Sequence, residues 1–178
     1  FWDLTAGGTA RGEKPRAVID RSIGPVWEAN HVWLIFVLVV LWTCFPDAFA
    51  SIMLTMFAPL SLVAFGVLLR GSSFALRHAL LNTRDRRAFG ALFGGSSLLV
   101  PYCLGAIVGG IVSGRVPAGG IAGDPVAGWV NPTSIVAGLL AVCAVAFLAA
   151  TYLVWDARRI SDEVMVEYFR RRAIGAGV

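Results

Sequence analysis

The residues best suited to chemistry lie in one short stretch, from Ser22 to Leu34. The stretch reads Ser-Ile-Gly-Pro-Val-Trp-Glu-Ala-Asn-His-Val-Trp-Leu and contains a carboxylate (Glu28), an amide (Asn30), an imidazole (His31) and two indoles. It passes directly into an apolar run. A charged side chain in or beside hydrocarbon costs several kcal/mol unless it faces protein or water, so these residues are candidates for function.

Glu28 has two interpretations. In the first, the carboxyl faces into a helical bundle, where desolvation favours its neutral form, and it passes protons with His31, three residues further along the same helix. Trp27 and Asn30 could then hold the group by hydrogen bonds. In the second, Pro25 begins a helix and Glu28 is only an interfacial acid, stabilised by the helix dipole by ~0.3–1 kcal/mol. The residues alone leave both interpretations open.

The composition is that of a membrane protein. Of the 178 residues, 57% are hydrophobic and 15% are charged, and the mean hydropathy is +0.75. Charge-free runs of about 20 residues can cross the ~30 Å hydrocarbon core as helices, because backbone groups in lipid must be paired within the segment. We predict an all-α integral membrane protein, a bundle of about four transmembrane helices within residues 25–155. The predicted spans are residues 25–45, 48–69, 88–112 and 133–155.

The two flanking segments set the predicted orientation. Residues 1–24 are predicted to form a loop and a short surface helix that ends at Gly24-Pro25, and residues 156–178 a helix with a Glu167–Arg171 pair. Of the fifteen basic residues, only Arg115 lies on the other side of the predicted membrane. The positive-inside rule then places both ends in the cytoplasm. Since this asymmetry explains the net charge of +4, the charge does not indicate nucleic acid binding.

Other candidate sites are weaker. Arg70 and Arg77 follow the second predicted span and could anchor the helix or contact anions and lipid headgroups. His31 and His78 share a membrane face, but both lie near its edge, so the sequence disfavours a haem between them. No metal-ligand spacing is present among the cysteines. Glycine pairs in the third span, Gly105-xxx-Gly109 among them, predict close helix contacts.

The stretch from Ser22 to Leu34 closely resembles the block Ser-Ile-Gly-Pro-Val-Trp-Asp-Gly-Asn-Glu-Val-Trp-Leu of subunit II of cytochrome bd-type quinol oxidases. Two shorter segments resemble the same family in the same order. Residues 70–77 resemble its Arg-Gly-x-x-Phe-Glu-Phe-Arg, and residues 131–132 with 150–153 resemble its Asn-Pro and Ala-Thr-Tyr-Leu. Three departures from the family matter, at Ala29, His31 and Ala75; the last replaces an acid.

The resemblance implies a longer subunit, of which the first helix and several last helices are missing here. It implies a bacterial plasma membrane protein that binds no haem or metal itself. The partner, subunit I, would hold haems of b and d type and the quinol site. Together the two subunits would oxidise quinol and reduce O2 to water, so this chain would belong to an enzyme without being active alone.

The resemblance also implies roles for individual residues. Glu28 takes the place of the acid in a cytoplasmic proton path, with His31 and Asn30 beside it. Trp27 and Trp33 take the places of residues that face the haem subunit, Trp33 at the mouth of an oxygen channel.

Arg70 and Arg77, by the same resemblance, would lie near a structural quinone or a lipid headgroup. Two other functions stay open from the residues alone. The chain could belong to a membrane transporter or channel, or it could be a purely structural assembly subunit. Glu28 and His31 lie near a membrane edge, and the two predicted hairpins show no inverted repeat, which speaks against a transporter.

Overall fold

The computed structural model describes residues 2, 5–6, 12–77 and 83–177, with side chains except at 23–29, 31, 73–77 and 83–89. All regular secondary structure in these residues is helical, so the predicted all-α class is confirmed. The described helices are α1 (Glu13–Cys44), α2 (Pro46–Thr55), α3 (Phe57–Arg77), α4 (Thr83–Val112), α5 (Pro132–Arg159) and α6 (Glu163–Gly177).

Two described helices are long and apolar enough to cross a membrane, Gly90–Val112 and Pro132–Arg159. They fall on the third and fourth predicted spans. A third crossing would come from Val32–Cys44 together with Pro46–Thr55, which are bent by 116° at Phe45. The predicted second span, 48–69, falls on α2 and α3, which are separated at Met56, and the described apolar part of α3 is the shorter segment Phe57–Ser72. The count of four spans stays a prediction.

The chain forms two compact units. Unit 1 comprises Phe1–Val26, Leu69–Leu98 and Val142–Val178, and unit 2 comprises Trp27–Leu68 and Leu99–Ala141.

The core of unit 1 joins the beginning of α1, the end of α5 and α6. Its buried side chains are Val18, Ile19, Leu153, Ala157, Met165, Val166 and Phe169. Val18 and Ile19 of the predicted surface helix are therefore covered by protein. Trp2 packs against this core, and its indole Nε1 donates to the Ala146 carbonyl at 3.0 Å.

A turn separates α5 from α6, within the segment 156–178 that the sequence predicted to be helical. Ser161 has a φ of 54°, and its amide and that of Asp162 donate to the Arg158 and Ala157 carbonyls at the end of α5. Asp162 then caps α6, because its Oδ1 accepts the Met165 amide at 3.1 Å. After the turn, Met165 and Phe169 of α6 pack in the core of unit 1.

Helices α4 and α5 meet at a close contact within unit 2. A Cβ built on Gly105 would lie 2.5 Å from the Ala137 carbonyl oxygen and 2.6 Å from the Ala141 Cβ. A Cβ on Gly109 would lie 2.6 Å from the Ser134 Cα. Because no side chain larger than hydrogen fits at these positions, the Gly105-xxx-Gly109 pair makes the close contact that its spacing predicts.

The loop between α4 and α5 packs on α2, also within unit 2. The buried hydroxyls of Ser51 and Thr55, one helical turn apart, accept the amides of Gly120 and Gly123 at 3.0 and 2.8 Å. Asp124 organises the far end of the loop. Its Oδ1 accepts the amides of Ala127 and Val126, and these bonds hold the pKa of the carboxyl below its usual value.

Candidate functional site

The stretch from Ser22 to Leu34 lies wholly within α1, which runs unbroken from Glu13 to Cys44. The predicted helix break at Gly24-Pro25 is absent from the backbone. Proline inside a helix removes one backbone donor and costs about 3 kcal/mol in water, but membrane helices tolerate it where neighbouring groups satisfy the freed carbonyl.

The continuous helix changes the argument about Glu28. Glu28 is the sixteenth of the 32 residues of α1, so it does not lie in the first turn. The favourable effect of the helix dipole on an acid falls off within that turn. The interpretation of Glu28 as a dipole-stabilised acid therefore loses its physical basis.

The side chains of Trp27, Glu28 and His31 lie outside the described part of the structure, as does that of Arg77. Their predicted contacts stay predictions. Asn30 is described and is exposed. Glu28 belongs to unit 2 and Arg70 to unit 1.

The remainder of α1, Val32–Cys44, is a helix with little covering from its own chain. Val32 and Trp33 are each 66% exposed, and large apolar side chains further along, such as Phe36 and Trp42, are more than half exposed. Trp33 meets Phe36 edge to face, with ring centroids 5.9 Å apart. At the bend into α2, Trp42 stacks on Phe49 at 6.3 Å.

A groove of about 180 Å³ lies at this bend. Its lining is entirely apolar and consists of Ile35, Leu38, Val39, Trp42, Phe49 and Met53. Such a surface offers no polar group to a ligand. It suits lipid tails or an apolar protein face.

Arg70 is the one predicted headgroup or quinone residue whose side chain is described. Its guanidinium carbon lies 5.2 Å from the centroid of the Phe93 ring, a cation–π geometry. Phe93 is buried, at 3% exposed. The Arg70 Nε is buried and has no hydrogen-bond partner among the described residues. Arg70 therefore keeps a donor that an oxygen atom of a ligand could satisfy.

Sequence reasoning missed one polar contact of α1. The Ser22 hydroxyl lies 2.5 Å from the Asp156 Oδ2 on α5. The two residues are 134 positions apart, so no local pattern links them. Among the described residues, no three His, Cys, Asp or Glu side chains are placed to hold a metal ion together.

The sixth helix carries the ion pair that the sequence predicted. Arg171 Nε lies 2.8 Å from Glu167 Oε1, and Arg170 Nη1 lies 3.4 Å from the other carboxylate oxygen. The hydrogen bond from Arg171 lowers the pKa of Glu167, with a smaller contribution from Arg170. All three side chains are about half exposed or more, so the pairs contribute little to stability.

Comparison with known proteins identifies the family. The chain matches the family of cytochrome bd terminal oxidase subunit II over residues 1–178. It is 27% identical over 95 residues to cytochrome bd ubiquinol oxidase subunit 2 of Bacillus subtilis (strain 168). The match covers 53% of this chain and only 28% of that relative. The resemblance seen in the sequence is thus confirmed, and the chain is a multi-pass, all-helical membrane protein that belongs to the cytochrome bd terminal oxidase subunit II family.

Proposed function

We propose that the chain works as the haem-free membrane subunit of a bd-type terminal oxidase, which oxidises quinol and reduces O2 to water. The family match over the whole chain is the observation that carries this proposal. A second subunit would hold the haems of b and d type, and this chain would supply paths and surfaces to it.

The first proposed contribution is a proton path through Glu28, with His31 and Asn30 beside it. At 1.5 Å per residue, Glu28 lies about 24 Å along the axis of α1 from Cys44, which is within the ~30 Å of a hydrocarbon core that begins near Cys44. A carboxyl at that depth is expected to face protein or water, because lipid would not stabilise it. Formation of water from O2 consumes protons, and an acid near one membrane face could supply them.

The orientation we propose places that end of α1 in the cytoplasm. The end of α5 and the helix α6, which pack with the beginning of α1 in unit 1, are rich in exposed arginines: Arg158, Arg159, Arg170 and Arg171. The loop between α4 and α5 carries Arg115 alone. The positive-inside rule favours the cytoplasm for the arginine-rich end, and hence for both ends of this chain.

The second proposed contribution is a surface toward the haem subunit. Trp33, at 66% exposed, is available to a partner or to an oxygen channel, and Trp27 is assigned to the same surface by the family resemblance. Arg70, with Arg77, is proposed to meet a quinone or a lipid headgroup. Both ligands offer an oxygen acceptor to the Arg70 Nε–H, which has no partner in the described part of the structure.

The substitution Glu28→Gln in the purified oxidase tests the proton path. Glutamine keeps the size and polarity of the side chain but cannot carry a proton between donors and acceptors. We expect quinol-driven O2 consumption to fall at least tenfold, which corresponds to about 1.4 kcal/mol in the activation free energy, while haem content stays unchanged.

Glu167→Gln is the matched control, since it makes the same chemical change in an exposed residue of α6. It should keep wild-type turnover. If Glu28→Gln also keeps wild-type turnover with intact haems, the proton path is wrong and the structural role is favoured. If no haem-bearing partner co-purifies with the chain, the oxidase assignment itself fails.

A further inference from the structure

The second half of α5 carries two stripes of residues with the same spacing. One stripe is buried and consists of Ala146, Ala150, Leu153 and Ala157. The other stripe is exposed, lies two residues further along at each step, and consists of Leu148, Tyr152, Trp155 and Arg159. Two residues of an α-helix correspond to a rotation of about 200°, so the two stripes lie on opposite faces. The exposed stripe therefore faces away from the core of unit 1.

The length of α5 sets the depth of the exposed stripe in the membrane. Its 28 residues extend over about 42 Å, which is the thickness of a bilayer with its headgroup regions. The charged residues of α5 all lie in its last turn, and they are Asp156, Arg158 and Arg159. When α5 crosses the membrane, Arg159 is thus at the level of the headgroups, and Trp155 and Tyr152 lie about 6 and 10 Å deeper. Aromatic residues with a polar tip are enriched at this boundary.

The side chain of Arg159 is stacked on the exposed stripe. Its guanidinium carbon lies 5.0 Å from the centroid of the Trp155 ring, a cation–π geometry. Tyr152 extends the aromatic surface, with its ring centroid 5.8 Å from that of Trp155. Because the stacking uses the face of the planar guanidinium, the N–H groups along its edge stay available. Such a fork matches two oxygens of a phosphate, and a side chain that is already held loses less freedom on binding.

The positive charge at this end of α5 is not paired with acids. Arg158 and Arg159 are exposed, and neither forms an ion pair in the described part of the structure. Asp156 is directed to Ser22 on α1, and Asp162 caps α6. The end of the helix dipole contributes a charge of about −0.5, which is less than that of the two guanidinium groups. This surface is therefore complementary to an anionic group.

The aromatic residues of the exposed stripe also have donors that their own chain does not use. Within the described residues, neither the Trp155 Nε1 nor the Tyr152 hydroxyl has a hydrogen-bond partner. Trp129, by contrast, donates its Nε1 to the Pro125 carbonyl at 3.1 Å. The phosphate and ester oxygens of a lipid are acceptors at the depth of these two donors. Leu148, which is 64% exposed, continues the stripe with an apolar surface that suits an acyl chain.

We propose that the exposed stripe of α5 binds one phospholipid with a negatively charged headgroup. The phosphate lies against Arg159. An acyl chain runs along Trp155, Tyr152 and Leu148 toward the centre of the bilayer. The site is distinct from Arg70, which lies on α3. It requires only that α5 crosses the membrane, so it stands or falls independently of the proposed oxidase function.

Native mass spectrometry of the purified full protein tests the proposal. The protein is stripped of lipid in detergent and incubated with phosphatidylglycerol as the anionic probe or phosphatidylcholine as the zwitterionic one, and the bound lipids are counted. The wild type should bind phosphatidylglycerol more tightly than phosphatidylcholine. We expect Arg159→Gln to weaken the binding of the tightest phosphatidylglycerol about fivefold, which corresponds to about 1 kcal/mol for one arginine near a membrane surface. Trp155→Leu keeps an apolar side chain but removes the ring on which Arg159 stacks, so it should weaken the binding by a smaller factor.

Arg171→Gln is the matched control, since Arg171 is an exposed arginine of the same unit that is already paired with Glu167. It should bind phosphatidylglycerol as the wild type does. Equal losses in Arg159→Gln and Arg171→Gln would mean that the charge of the whole surface attracts lipid, and would overturn a site on α5.

Three further results would also overturn the proposal. The first is wild-type binding of phosphatidylglycerol by Arg159→Gln or by Trp155→Leu, both of which should fold because the replaced side chains are exposed. The second is equal affinity for phosphatidylcholine, which would remove the preference for a negative headgroup. The third is displacement of the lipid by millimolar inorganic phosphate, which would show that the site takes a free anion.

Discussion

The contact between α4 and α5 and the segment Val32–Cys44 of α1 are both apolar parts of unit 2, but they are built in opposite ways. At the α4–α5 contact the residues are small, and backbone approaches backbone so closely that Gly105 and Gly109 have no room for a Cβ. Along α1 from Val32 to Trp42 the residues are large, and several are more than half exposed.

The difference shows which of the two surfaces is covered by residues of the chain itself. The α4–α5 contact gains its stability from atoms that the chain itself supplies. The segment Val32–Cys44 has few contacts with the described part of its own chain, such as Phe49 against Trp42, so lipid or another protein must cover the rest. The stretch that resembles the family leads directly into this uncovered segment.

Gly105→Ala should have the largest effect on stability. The new methyl group would meet the Ala137 carbonyl oxygen and the Ala141 Cβ, and neither can move without a shift of the α5 backbone. We expect a loss of about 1–3 kcal/mol, measured by thermal unfolding of the purified complex.

Gly95→Ala is the control for this prediction. Gly95 lies in the same helix, but a Cβ there meets nothing within 4 Å. Alanine is the better helix former by about 0.5–1 kcal/mol, so this variant should be as stable as the wild type or more so. Equal losses for Gly105→Ala and Gly95→Ala would mean that the close contact does not govern the stability of this region.

Thr55→Val should have a smaller effect in the same region. Valine keeps the shape of threonine but leaves the Gly123 amide without its acceptor. An unpaired buried donor costs about 1–3 kcal/mol, and we expect about 1 kcal/mol because the loop is only partly buried. Thermal unfolding measures the change.

Thr43→Val is matched to it, since the exposed Thr43 hydroxyl bonds only to carbonyls of its own helix and to Cys44. This variant should leave the melting temperature unchanged. A loss as large as that of Thr55→Val would show that any missing hydroxyl lowers stability, whether or not it holds the loop.

Trp33→Ala tests the uncovered region. Because Trp33 contacts little of its own chain, we expect its removal to change the unfolding free energy by less than about 0.5 kcal/mol. If it faces an oxygen path in the assembled oxidase, the apparent KM for O2 should rise while haem content is kept. Val32→Ala is the control, since Val32 is equally exposed, at 66%, one residue earlier. An identical KM for the two variants would contradict the assignment of Trp33.

The glycine pairs show what the sequence alone can and cannot predict about helix contacts. Gly105-xxx-Gly109 and Gly90-xxx-Gly94 have the same spacing, yet a Cβ on Gly90 would meet nothing within 4 Å. Spacing tells which residues share a helix face, but it does not tell what lies against that face. The all-α membrane fold and the family were predictable because hydropathy and a long motif are properties of the local sequence.

Helix boundaries and distant contacts were less predictable. The backbone continues through Pro25 because the surroundings of a helix can outweigh the cost of proline. The chain turns at Ser161 because this residue adopts a left-handed conformation. The sequence of α5 does not predict that conformation. Asp156 meets Ser22 only because three helices pack together, so the sequence offered no reason to pair them.

Asp124 gives the smallest expected effect, since its side chain is exposed and acts only on the end of the α4–α5 loop. The amides of Ala127 and Val126 lower its pKa in the folded protein. A carboxyl with a lowered pKa stabilises the fold fully at pH values above its pKa in the unfolded chain, about 3.9, and that contribution is lost as the pH falls through the folded value.

Asp124→Asn keeps an oxygen acceptor but cannot titrate, so its melting temperature should fall less steeply on acidification than that of the wild type. Parallel melting curves from neutral pH to about pH 3 would show that these two bonds do not stabilise the loop. The described side-chain bonds that hold the loop would then be those of Ser51 and Thr55, which accept the amides of Gly120 and Gly123.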